Sequence, residues 1–251
     1  MLKSGLVFVC EPSGVLLPLS EFVSKYSVAY CKNNATIDGI CYRQTNDVIE
    51  KRVLTEELSD YASFARKMAW KIGKIKFSGN SDEIVYYRDW ADCEKNNPQV
   101  YGHCINLKGA YDDLDFSSIN ELCKKGDRTQ ALGEIINCKT DRIGPVYSIA
   151  ELFFISNGKY PIYDRFAHMA LKCIFSEDER FPKTGDSARL LNIDVIKIYD
   201  EYVEQIECLM KKLGKENSNY IEYRDLDRAL WVYGHGFSDK CLKKHIGYKH
   251  I

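Results

Sequence analysis

The residues best suited to chemistry fall between Gln130 and Leu171. Asp164 follows Lys159-Tyr160-Pro161-Ile162-Tyr163 and precedes a periodic run over 165–175. A residue before proline avoids the helical region, so this stretch reads as extended. Asp164 is then placed to cap the helix behind it. Upstream, Thr140-Asp141-Arg142-Ile143-Gly144-Pro145 forms a tight turn between two helical patterns. A helix that begins past such a turn points backbone N–H groups outwards, here those of Val146 and Tyr147. Aided by the helix dipole, they suit a phosphate. Gly144 allows close approach to the backbone, and Pro145 fits a first helical turn. Lys139, Arg142, Lys159, Arg165 and Lys172 make a local basic set. Contacts of this kind between cations and phosphates are strong and salt-sensitive.

These residues need helices to hold them. Ala131, Leu132, Ile135 and Ile136 give one apolar face before the turn, and Val146, Ile149, Ala150 and Phe153 give another after it. Asn157-Gly158 reads as the stop of the second helix. The clearest helix is 193–213, with Ile196, Tyr199, Val203, Ile206, Met210 and Leu213 at steps of three and four, and Gly214 just past its end. Ser117 or Ser118 caps a shorter helix ending near Lys125-Gly126. A further helix fits 224–233, ended by Gly234, and Arg224, Asp225, Asp227 and Arg228 supply local ion pairs at its start. Trp70, Trp90 and Trp231 read as core, and His235 as a loop residue.

Residues 1–54 differ in pattern. Leu6 to Val9 and Val15 to Leu17 flank a turn at Glu11-Pro12-Ser13-Gly14. Ser27 to Cys31 and Thr36 to Tyr42 read as strands, with one or two helical turns over Leu19 to Tyr26. From Thr55, which reads as an N-cap, the pattern turns helical through Leu58, Ala62, Ala65, Ala69 and Ile72. A helix is also expected over 81–92, then a loop-rich stretch beyond Pro98. The expected fold is therefore mainly α: a small mixed α+β region over 1–54 and a helical domain over 55–251.

Composition narrows the function. The chain has 251 residues, 45% of them hydrophobic and 28% charged, with a net charge of −1. Any nucleic-acid affinity must come from a local patch. The apolar run near the start is too short for a membrane span or a signal-peptide core, which points to a cytoplasmic protein. The ten cysteines include no C-x-x-C pair and no accompanying histidine cluster. They read as reduced, mostly buried thiols rather than metal ligands. No metal or cofactor is expected.

Helix, hairpin, helix and then a carboxylate at a helix start resembles the helix-hairpin-helix DNA glycosylase superfamily, which includes endonuclease III, the adenine glycosylases and the 8-oxoguanine glycosylases. Ile143-Gly144 resembles the end of the family hairpin, and Tyr163-Asp164-Arg165-Phe166 its Asp-bearing segment. Tyr223 to Trp231 looks like a closing motif of bacterial relatives of the 8-oxoguanine glycosylase fold. The resemblance covers about 118–233. It implies double-stranded DNA as partner, with Lys139, Arg142, Gly144, Val146, Tyr147 and Arg165 as contacts and Asp164 as the catalytic carboxylate. Such a carboxylate stabilises the positive charge that develops on the sugar when an N-glycosidic bond breaks. The family extrudes its target nucleotide from the duplex.

This chain departs from the family at three positions. Arg142 stands where the first hairpin glycine is usual, Val146 where the lyase branch keeps a lysine, and Phe166 where a histidine follows the aspartate. A monofunctional glycosylase with water as nucleophile is therefore the enzymatic expectation. The alternative is a non-catalytic helix-hairpin-helix DNA-binding module in genome defence or regulation. The sequence leaves both open, and whether the chain is an enzyme stays open with them.

Overall fold

The structure, a computed structural model, describes residues 8–11, 15–32, 34–37, 40–56, 67, 70–71, 76–77, 84–85, 114–138, 144–175 and 195–235. Eight helices and six short strands lie among them, so the protein is mainly helical. By backbone contacts it forms two compact units: residues 1–32 with 163–251, and residues 33–162. The boundary expected at 54 falls inside a helix, α2 (Asn46–Thr55). No helix among the described residues is long and apolar enough to cross a membrane.

The unit of 33–162 holds an antiparallel pair, β3 (Asn34–Ile37) and β4 (Ile40–Thr45), then α2, then a second pair, β5 (Lys76–Phe77) and β6 (Ile84–Val85). Three helices follow: α3 (Phe116–Lys125), α4 (Arg128–Cys138) and α5 (Pro145–Ile155). Two expectations change here. Ile84 and Val85 belong to a strand paired with Phe77 and Lys76, not to a helix over 81–92. Thr55 closes α2 instead of opening a helix, and its hydroxyl donates to the Lys51 carbonyl at 2.9 Å. Of the helix expected beyond it, only Lys67, Trp70 and Lys71 are described, and all three are helical. Lys67 is buried and donates to the Val53 carbonyl at 2.8 Å, a cation near the C-terminal end of α2.

The caps of α3 follow from its sequence. Asp115, not Ser117 or Ser118, is the N-cap, and its carboxylate accepts the Ser118 N–H at 3.0 Å. Gly126 ends the helix at φ +91°, in the left-handed region that glycine adopts at least cost. Lys159 and the Tyr160 hydroxyl both reach the Cys123 carbonyl, at 2.5 and 3.4 Å, which ties the segment after α5 back to α3. Of the faces expected for α4 and α5, Ala131, Leu132, Ile135, Ile149, Ala150 and Phe153 are buried and Ile136 and Val146 are half-buried; α5 is buried at every residue from Ser148 to Ile155, not along one face. Asn157 and Gly158 turn the chain beyond α5 with positive φ, as their types predict.

The other unit pairs β1 (Phe8–Cys10) with β2 (Leu16–Pro18) ahead of α1 (Leu19–Lys32). It continues with α6 (Arg165–Phe175), α7 (Val195–Lys212) and α8 (Asp225–His235). The strand expected over Ser27 to Cys31 is the second half of α1. Phe22, Val23, Tyr26 and Ala29 are buried along one helical face, and α1 packs on α8. That burial overrides the strand preference of the local sequence. The Phe22, Tyr26 and Tyr233 rings meet with centroids 4.9 to 5.5 Å apart. Helix α7 matches its expected span, and Gly214 stands beyond it at φ +69°.

Gly234 lies within α8 and does not end it. The reason is steric: a Cβ at Gly234 would sit 2.1 Å from the Phe166 carbonyl oxygen. Glycine lets α8 cross α6 at backbone contact, and it carries the helix one residue further to His235.

Candidate carboxylate and anion site

Asp164 is partly exposed at the N-cap of α6, and its Oδ1 accepts the Phe166 N–H at 2.8 Å. The Asp164 carbonyl accepts the His168 N–H, so the residue holds the first turn from both ends. The capping role and the extended approach were both readable from the sequence.

Behind it lies a network that sequence reasoning missed. Tyr163 is fully buried, and its hydroxyl lies 2.8 Å from His168 Nδ1. These are the residue before the cap and the fourth helical residue, the pair that fixes a chain's entry angle into a helix. That five-residue spacing was the available signal. Tyr202 on α7 packs beside both rings, with centroids 5.0 Å from Tyr163 and 5.8 Å from His168. Its hydroxyl donates to Asp227 at 3.5 Å, and Asp227 pairs with the buried Arg224. The ion pairs expected at the start of α8 are therefore present, and Arg228 with Asp225 at 3.3 Å is the second.

Burial, then the charge of Lys172, lowers the His168 pKa to about 4, so the imidazole is neutral at neutral pH. Burial raises the Tyr163 phenol, with the Asp164 charge adding to it. Burial raises Tyr202 well above its ordinary value, with Asp227 and then Asp164 adding to it. Both phenols stay protonated across the physiological range. The three rings near the Asp164 cap are thus neutral at neutral pH.

The helix start at α5 belongs to the other unit. Gly144 is exposed and extended at φ −71° and ψ 156°, and it is the N-cap with no side-chain capping bond. Pro145 is the first helical residue, as expected. A Cβ on Gly144 would meet nothing within 4 Å, so the fold itself does not require glycine there. Val146 and Tyr147 are half-buried. The Tyr147 N–H donates to the Gly144 carbonyl at 3.0 Å, so the expected pair of phosphate-binding amides is reduced to Val146. Lys139 and Arg142 lie outside the described residues. Arg165, the first residue of α6, is exposed.

Other expectations shift with burial. Trp70 and Trp231 are half-buried rather than core, and Trp90 lies outside the described residues. His235 is helical and stacks with Phe166 and Trp231. Of the cysteines, Cys123 is buried and Cys138 is exposed. Burial pushes the Cys123 thiol up to about 11 and the Cys173 thiol to about 12, which makes both poor nucleophiles. Among the described residues, no three histidine, cysteine or acidic side chains are grouped to hold a metal.

Comparison with models of known protein families, with characterised proteins and with solved structures gave no match.

Proposed function

We propose that this protein is a helix-hairpin-helix DNA-binding protein of the glycosylase type, acting in the cytoplasm on the N-glycosidic bond of an altered base in double-stranded DNA. The observation that carries this reading is Asp164. Its partly exposed carboxylate is fixed at a helix start by the Phe166 N–H and backed by buried, neutral rings. A carboxylate so placed has the chemistry to stabilise an electron-poor sugar and to orient an attacking water. Val146 stands where the lyase branch of the resembled family keeps its amine, so the reaction is monofunctional hydrolysis that leaves an abasic site. Gly144 and the Val146 amide, with Lys139 and Arg142, bind backbone phosphate, and Arg165 is a separate DNA contact on the other unit.

The capping bond of Asp164 also favours a second reading, a DNA-binding module without base release, because a purely structural residue would make the same bond. A panel of duplexes carrying oxidised, deaminated or alkylated bases separates the two. Base release on one of them, lost in Asp164→Asn, supports the enzyme. Duplex binding with release on none assigns the module.

A further inference from the structure

Phe166 takes the position where the resembled family has a histidine, and its surroundings suit a ring. One side of Phe166 packs against His235, tilted by 37°, and His235 in turn packs against Trp231, tilted by 38°. Tyr30 meets Trp231 edge-on, with centroids 5.6 Å apart. The His235 ring is oriented by its Nδ1, 3.3 Å from the Trp231 carbonyl. Gly234 makes this column possible by letting α8 touch the Phe166 backbone. Above the Phe166 ring, 4.5 Å from its centroid, lies the guanidinium of Arg165. Arg165 is exposed and Phe166 partly so, while the Phe166 N–H holds the Asp164 carboxylate.

A planar ring with a rigid aromatic backing and an exposed cation over it is a stacking site. Nucleobases stack on such rings whatever their sequence, and a guanidinium can stack on the base or meet a phosphate. We propose that Phe166 and Arg165, backed by His235 and Trp231, form a stacking site for an unpaired nucleobase beside Asp164. The base slides between ring and guanidinium, or displaces the guanidinium towards the strand's phosphate. This deepens the DNA-binding part of the reading above and does not depend on its catalytic part.

The test is titration of the full chain with a labelled single-stranded oligodeoxynucleotide of mixed sequence, and with its duplex. Phe166→Leu removes the ring and keeps an apolar side chain, and Phe166→Tyr restores a ring. The site predicts single-strand binding weakened about tenfold or more in Phe166→Leu and recovered in Phe166→Tyr. Arg165→Gln is expected to weaken it too and to flatten the dependence of log affinity on log salt by about 0.7. If the Phe166 variants melt early, an abasic single strand of the same length keeps the test decisive: the site predicts binding to wild type about tenfold weaker than that of the base-bearing strand, and equal binding overturns it. Equal single-strand affinity in wild type and Phe166→Leu overturns the site, whatever Arg165→Gln does. Binding to duplex but not to single strand overturns the site and leaves the DNA-binding reading standing. No binding to either overturns both.

Discussion

At Asp164 the capping bond and the proposed chemistry make separable demands. Asparagine caps a helix about as well as aspartate, but it brings no charge. Asp164→Asn is therefore expected to melt within about 0.5 kcal/mol of wild type while base release falls about a hundredfold or more. Asp164→Ala removes the cap as well and is expected to cost about 1 kcal/mol in urea unfolding. His168 gives a prediction in pH. Its folded-state pKa, about 4, lies below the ordinary 6.5. Between these values the unfolded chain binds a proton that the folded chain refuses. The stabilisation is thus complete above pH 6.5, declines as pH falls towards 4 and is flat below that. The loss reaches about 3 kcal/mol. Urea unfolding at pH 7 and pH 4.5 checks it, and His168→Gln is expected to show a shallower decline.

At the scale of elements, three glycines carry three different expectations. Gly234→Ala gains helix propensity but drives a Cβ into the Phe166 carbonyl. The clash outweighs the gain, and a net loss of about 1–3 kcal/mol is expected in thermal melting. Gly126→Ala meets no atom but must hold φ +91°, which costs about 1–2 kcal/mol. Gly144→Ala has open space and ordinary backbone angles, so stability is expected to stay within about 0.5 kcal/mol. A loss of duplex binding in Gly144→Ala alone would then report a backbone–phosphate approach, and unchanged binding would remove that contact. Local patterns were a sound guide where helices carry one apolar stripe between clear stops, as in α4, α7 and the Asp164-capped start of α6; α5, buried all round over 148–155, shows no such stripe. They misled at α1, where valine and tyrosine suggest a strand and only packing on α8 decides. They misled again at Gly234, whose role is set by Phe166, 68 positions earlier in the chain. The Tyr163–Tyr202–Asp227 network was out of reach for the same reason, since its members are brought together by helix packing.

At the scale of the molecule, the first 32 residues belong to the same compact unit as the last 89, numbered 163–251. The buried rings of Phe22 and Tyr26 on α1 cover Tyr233 on α8. A chain beginning at Asn33 would expose that aromatic face. It is expected to melt well below the full chain and to lose the tryptophan signature of the Trp231–Tyr30 contact. An unchanged melt would show that α1 is an accessory. No sequence period announces an association between chain ends, so the N-terminal region reads as a separate preface until the fold closes it onto α8.

In the function proposed above, Asp164 assists cleavage of an N-glycosidic bond. The most direct measurement is single-turnover base release from lesion-bearing duplexes by wild type and Asp164→Asn, with strand cleavage followed in parallel. Release from at least one lesion is expected, without strand cleavage, and abolished in Asp164→Asn although duplex affinity is retained. Release from none of the lesions, or release that is unchanged in Asp164→Asn, would contradict it.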